Sequence, residues 1–197
     1  MSNKAFEKWA LGFSGCDGGD IGSPNNPAVW ICGIEWGGGH DREDLLGELA
    51  SDMSVPPEGY KDTKENSVNI YNRQALKLLS AVNGGQVKDF RVFGETVRPF
   101  VKGSLGYFKT NIYPMSFKDT NVARWLADFS EITGFDSKSD YIQWCKQNRF
   151  PQMKSWVSTF RPKLIICFGK TYKEDFTSAF ADAETNLNIE VIDEREI

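Results

Sequence analysis

The distribution of apolar and polar residues along the chain predicts strands that alternate with helices. Two runs, residues 28–35 and 163–168, are almost continuously apolar, which is typical of strands covered on both faces in a parallel sheet. Two more strands are predicted at residues 106–113, which Pro114 closes, and at residues 189–192.

Apolar residues three and four positions apart predict helices between these strands. Asp41 is a candidate cap for a helix carrying Leu45, Leu46 and Leu49 on one face, and Pro151 suits the first turn of another. The other predicted helices are residues 5–13, 67–82, 119–133, 139–148 and 172–181, and residues 14–27 and 51–64 read as loops.

Strands separated by helices predict an α/β fold with three layers, a mainly parallel central sheet flanked by helices, as one domain over residues 1–197. Ligands of such sheets bind beyond the carboxyl ends of the strands. Three predicted strands end in polar or glycine-rich segments: Glu35-Trp36-Gly37, Asn111 with Tyr113-Pro114, and Gly169-Lys170-Thr171. If the strands are neighbours, the three segments would border the same crevice.

The composition is that of an ordinary globular domain, with 40% apolar and 25% charged residues. No apolar run reaches the roughly 18 residues of a membrane span, and Glu7 and Lys8 interrupt any signal-peptide core, so we expect a cytoplasmic protein without a membrane partner. None of the four cysteines forms a C-x-x-C pair. Cys32 and Cys167 lie in apolar runs and read as buried, reduced thiols, and no metal or cofactor is predicted.

The charges are unevenly distributed along the chain. From Arg98 to Lys173 there are 13 Lys and Arg against 5 Asp and Glu, although the net charge of the whole chain is −4. This asymmetry would give a basic face for nucleic acid if these residues share one surface, and an evenly mixed surface if they do not.

Several common catalytic motifs are excluded. The glycines do not form a G-x-G-x-x-G fingerprint, and Leu164 stands where a phosphate-binding P-loop ending in Gly169-Lys170-Thr171 would need glycine. The only histidine, His40, has no nucleophile elbow to serve. His40 is therefore either a solvated residue near a helix N-terminus or part of a pocket, where it would contact a base or a phosphate.

Three segments, in this order, resemble the uracil-DNA glycosylase superfamily. Residues 29–37, VWICGIEWG, are similar to its first motif, in which a strand ends in Gly and an acid. Residues 108–114, FKTNIYP, are similar to the strand whose Asn reads the base, and residues 161–172, RPKLIICFGKTY, to a late strand and glycine turn. The family's later His-Pro-Ser or Asn-Pro-Ser motif has no counterpart before Ile197, so we expect either a chain truncated before it or loss of the motif.

The resemblance implies hydrolysis of the N-glycosidic bond of uracil or another damaged base flipped out of DNA. Glu35 would position the water, and Asn111 would read the base edge through its amide. Other residues implied at the base are the glycines Gly33, Gly37 and Gly38, the aromatic candidates Trp36, Tyr60 and Tyr113, and His40, Gly169 and Lys170. Structural alternatives are a strand-end ion pair for Glu35, a turn for Asn111 and a flexible loop for the glycines.

Three functions therefore stay open. The first is a DNA glycosylase. The second is a glycosylase-like module without catalysis that binds a nucleobase, nucleotide, DNA or protein. The third is another α/β enzyme that uses Glu35 and the glycines on a small phosphorylated ligand.

Overall fold

The computed structural model describes residues 3–121 and 125–181. The helices are α1 Lys4–Leu11, α2 Arg42–Leu49, α3 Thr63–Val68, α4 Ile70–Val82, α5 Phe90–Thr96, α6 Ala127–Thr133, α7 Lys138–Trp144, α8 Phe150–Phe160 and α9 Lys173–Phe180. The strands are β1 Gly18–Gly19, β2 Gly22–Ser23, β3 Asn26–Pro27, β4 Val29–Gly33, β5 Tyr107–Asn111 and β6 Leu164–Cys167. In the described ranges, no helix combines the length and apolar character needed to cross a membrane.

A four-stranded sheet in the order β1-β5-β4-β6 forms the centre of the fold. β4 pairs in parallel with both β5 and β6, and the two-residue β1 pairs antiparallel with β5. The predicted α/β class with a mainly parallel central sheet is confirmed. Parallel register sets Gly33 opposite Asn111 and Cys32 opposite Cys167.

Helices cover both faces of the sheet, which explains why β4 is apolar throughout. Alternate residues of a strand point to opposite faces. Trp30 and Cys32 belong to the larger core with α1 and α6 to α9, while Val29 and Ile31 belong to a smaller core with α4 and α5. All five residues of β4 are buried.

The Arg149 guanidinium is fully buried and ties together three parts of the chain. It donates to backbone carbonyls of the loop after α1, including Ser14 at 2.6 Å, and to Ile112 after β5 at 2.9 Å. It also lies over the ring of Trp156 in α8. Burial of a cation is tolerated only when its hydrogen bonds are made, and backbone oxygens make them here.

The structure corrects several boundaries. Asn69 has extended backbone and divides the helix predicted at residues 67–82 into α3 and α4. The helix predicted at 119–133 begins only at Ala127, and α5 and the short strands β1 to β3 were not predicted. Leu46 and Ile70, which the helical spacing assigned to buried faces, are 46% and 68% exposed. The strand predicted at 189–192 lies outside the described residues.

Replacement of Arg149 by Met tests the tie between these segments. We expect Arg149→Met to lower the free energy of unfolding by about 3–5 kcal/mol, because several buried carbonyls lose their donors together. The exposed Arg73 provides the control, and Arg73→Met should change stability by less than about 0.5 kcal/mol. Urea denaturation measures both values, and equal effects of the two substitutions would contradict the role given to Arg149.

Candidate functional site

The carboxyl ends of β4 and β6 form the place where the strand order reverses. The chain passes from β4 to β5 on one side and then to β6 on the other. Ligands of open α/β sheets bind at such switch points. The segments that leave the strands here are residues 34–39, 112–119 and 168–172.

Asn111 lies against Gly33 at the end of the sheet. Its Nδ2 donates to the Gly15 carbonyl at 3.0 Å, and its Oδ1 would be only 2.3 Å from a Cβ placed on Gly33. Gly33 is therefore required for the Asn111 amide to sit where it does. The contacts shown for Asn111 fix the strand end, and its reading of a base stays a prediction.

Trp36 lies in a polar network centred on Asp17. The Asp17 carboxylate accepts from Trp36 Nε1 at 3.1 Å, from the hydroxyl of Tyr60, and from Lys109 Nζ at 3.1 Å. Lys109 also lies over the ring of Tyr71, 4.8 Å from its centroid. Burial lowers the pKa of Lys109, and the Asp17 charge opposes that shift. Trp36 and Tyr60 thus use their polar atoms within the protein.

Glu35 forms a buried ion pair with Lys138 of α7. Lys138 Nζ donates to Glu35 Oε1 at 3.2 Å, and the side chains of Lys138 and Glu35 are only 1% and 7% exposed. The ammonium also donates to the Asp119 carbonyl at 3.2 Å and lies 3.6 Å from the ring centroid of Phe117. Burial raises the pKa of Glu35, and Lys138 partly opposes this. The ion pair that the sequence left as an alternative for Glu35 is present.

The side chains of Glu35 and Asn111 bind different partners. Asn111 shares the sheet face of Lys109, whose ammonium lies over Tyr71 beside the α4 core, whereas Glu35 pairs with a helix of the opposite core. Among the described residues, the two side chains have no hydrogen-bond or ion-pair partner in common. A shared role on one substrate is therefore not supported by their contacts.

Ser116 holds the glycine loop, residues 36–39, in place. Its Oγ accepts from Gly39 N at 3.0 Å and lies 3.2 Å and 3.1 Å from the carbonyls of Trp36 and Gly37. Gly38 and Gly39 have φ values of 105° and 82°, which favour glycine. No atom lies within 4 Å of a Cβ added at Gly37 or Gly38, so the outer side of the loop is open.

A cavity of about 570 Å³ lies beside this loop, and we call it the glycine-loop pocket. Its walls come from the loop and the start of α2, from the segment after β5, and from α6 and the residues before it. The lining residues are Gly39, His40, Asp41, Asp44, Ser116, Phe117, Lys118, Asp119, Trp125, Leu126 and Phe129.

His40 has a defined orientation in the wall of the pocket. Its Nδ1 accepts from Ser116 N at 3.2 Å, so the neutral ring carries its proton on Nε2. Burial lowers the pKa of His40, and the carboxylates of Asp44 and Asp41 oppose that effect. The ring can therefore offer an N–H donor to a ligand at neutral pH. The alternative of a wholly solvated His40 is not what the structure shows.

The remaining predicted site residues lie elsewhere. Tyr113 is 1% exposed, and its hydroxyl donates to Asp175 at 2.8 Å. Gly169 packs on Ile34, whose Cδ1 lies 2.7 Å from a Cβ placed on Gly169. Lys170 begins a 3-10 turn. These three residues do not line the glycine-loop pocket.

Sequence reasoning missed the residues that shape this site. Ser116, Phe117 and Lys138 carry no motif, and Lys138 is 103 positions from its partner Glu35. In the sequence, the only indication of a pocket here was the group of aromatic residues at positions 117, 125 and 129. Ordinary packing of a helix explains that spacing equally well.

Comparisons with models of known families, with curated proteins and with solved structures find no match.

The ion pair can be tested by removing one charge and then both. Glu35→Gln leaves the buried Lys138 uncompensated, so we expect a loss of about 2–4 kcal/mol in the free energy of unfolding at pH 7. The double variant Glu35→Gln/Lys138→Met should recover most of that loss, because no buried charge remains. Additive effects in urea denaturation would show that the two side chains do not interact.

The pKa of His40 can be measured directly, because the chain has one histidine. The single imidazole C2–H resonance should titrate below the ordinary value of about 6.5, and Asp44→Asn should lower the midpoint further. The folded protein takes up this proton less readily than the unfolded chain, so stability relative to His40→Gln should fall as pH decreases from 7 to 5. A midpoint at or above the ordinary value would contradict the buried environment.

Proposed function

We propose that the protein binds a nucleobase in the glycine-loop pocket, as a glycosylase-like binding module. The observation that carries this proposal is the pocket itself, beside the carboxyl end of β4, with aromatic walls and the oriented His40 ring. Its volume of about 570 Å³ is within the range of small-molecule sites, roughly 300–1,000 Å³.

The aromatic residues give the pocket an apolar wall, in which Phe117 and Phe129 are only 5% and 2% exposed and Trp125 is the more accessible ring. Phe117 and Trp125 are stacked, with centroids 6.2 Å apart and planes inclined by 30°, and Phe129 meets both rings edge-on. Aromatic side chains bind bases by stacking on their faces, independently of base sequence. Trp125 Nε1 donates to Ser130 Oγ and to the Phe135 carbonyl, which keeps the indole in a fixed position.

The polar residues of the pocket suit an uncharged ligand with both donors and acceptors. His40 Nε2–H and the Lys118 ammonium are donors, while Asp41 and Asp44 supply carboxylate oxygens. Asp119 adds a third acid to the lining, so a phosphate group would meet more negative than positive charge. These charges favour a nucleobase over the small phosphorylated ligand of the third hypothesis.

Hydrolysis of an N-glycosidic bond is the second candidate function, and the one observation behind it is that Glu35 lies near the pocket. Phe117 and Asp119 line the pocket and also contact Lys138, so the Glu35–Lys138 pair lies directly behind the pocket wall. Activation of water by Glu35 would require the carboxylate to leave Lys138. Binding is therefore proposed first and hydrolysis second.

Binding is tested by saturation-transfer NMR with uracil, thymine, cytosine and adenine, each as free base and as nucleoside. His40→Ala should weaken the tightest-bound base at least about tenfold, which corresponds to the loss of one hydrogen bond of about 1.4 kcal/mol. Lys163→Ala, at a cavity beside the amino ends of the strands, is the control and should leave affinity unchanged. Absence of binding by all eight ligands, or equal effects of the two variants, would contradict the proposal.

Hydrolysis is tested on a single-stranded oligonucleotide that carries labelled uracil. Release of free uracil by the native chain, lost in Glu35→Gln/Lys138→Met, would establish the second function. Base binding without release would establish the binding module alone. The double variant is the appropriate one because we expect it to remain folded.

A further inference from the structure

Two of the cysteines are direct partners on neighbouring strands. Cys32 of β4 and Cys167 of β6 are paired in parallel register, so their side chains leave the same face of the sheet. Neighbouring strands are about 4.8 Å apart, and a disulfide needs Cα atoms roughly 4.4–6.8 Å apart. The register therefore places the Cα atoms within the range of a disulfide, and formation of the bond requires the Cβ atoms to approach to about 3.5–4.5 Å.

The two thiols have complementary surroundings. Cys167 is exposed among the described residues, whereas Cys32 is fully buried and its Sγ donates to the Gly33 carbonyl at 3.3 Å. Burial raises the pKa of Cys32, and its hydrogen bond with the Cys167 thiol raises it further. An oxidant from solvent thus meets Cys167 first, with the second sulfur next to it.

The other two cysteines are less reactive. Cys16 and Cys145 are buried, and burial raises their pKa values to about 11 and about 12. The Cys16 sulfur lies 3.1 Å from Thr110 Oγ1, and Thr110 is the register partner of Cys32 on β5. Neutral, inaccessible thiols react slowly with oxidants, and neither of these two shares the register of Cys32 with the exposed Cys167, so they provide internal controls.

We propose that Cys32 and Cys167 are a modification site, at which a peroxide oxidant forms a reversible disulfide between β4 and β6. The peroxide transfers one oxygen to the Cys167 thiolate, giving a sulfenic acid and hydroxide. That hydroxide takes the proton of the adjacent Cys32 thiol to form water, and the Cys32 thiolate attacks the Cys167 sulfur, which forms the S–S bond and releases hydroxide. A small dithiol reverses the bond by exchange.

The position of this bond gives it a structural consequence. Gly33 and Phe168 follow the two cysteines directly, and the chain then leaves the carboxyl ends of β4 and β6. A covalent link at this point fixes the spacing of β4 and β6 at those ends.

The test uses the native chain, treated with hydrogen peroxide in small excess, alkylated and digested without reductant. Mass spectrometry should show a fall from four free thiols to two, with one linked peptide pair containing Cys32 and Cys167, and dithiothreitol should restore all four. Cys16→Ser should give the same linked pair. Cys167→Ser, an exposed substitution, should abolish it while leaving the melting temperature of the untreated protein nearly unchanged.

Other outcomes would overturn the proposal. These are retention of four thiols, conversion of Cys167 to sulfinic acid in the native chain without a linked pair, a link between Cys16 and Cys32, or a link between two protein molecules.

Discussion

The hydrogen bonds between Ser116 and the glycine loop determine the shape of the site. The continuation of β5 runs beside the continuation of β4, with Ile112 N bonded to the Gly33 carbonyl and Tyr113 N to the Ile34 carbonyl. These bonds place Ser116 beside the loop. Its carbonyl accepts from His40 N, and its hydroxyl oxygen accepts from Gly39 N. A glycine loop has few side chains to bury, so these hydrogen bonds supply the order that packing supplies elsewhere.

The course of the backbone after β4 turns the neighbouring residues Glu35 and Trp36 in different directions, and neither has the surroundings of Asn111. Glu35 turns to the core of α7, while Trp36 turns to Asp17 near the other face. Asn111 remains on the face of Lys109, against Gly33. The proposed function therefore depends on the glycine-loop pocket and the oriented His40 ring. Glu35 is connected to this pocket only through Lys138, which contacts Phe117.

The sequence was sufficient for features that depend on local or repeated signals. β4 and β6 follow from apolar runs, and the Asp41 cap of α2 forms the reciprocal bonds with Asp44 that its spacing favours. The expected burial of β6 and of Cys167 is wrong for the described residues, where Leu164 is 42% exposed and Cys167 is exposed. Contacts between distant positions were not accessible in this way. Nothing near Glu35 indicates Lys138, nothing near Ser116 distinguishes it from other serines, and the break at Asn69 depends on its side chain capping α4 through Tyr71 N.

The most direct test of the account is an intermolecular NOE experiment on the protein with its best-binding base. The ring protons of that base should show NOEs to the imidazole protons of His40 and to the rings of Phe117 and Trp125, because these groups line one pocket. Saturable binding with NOEs only to residues outside this pocket would contradict the central claim.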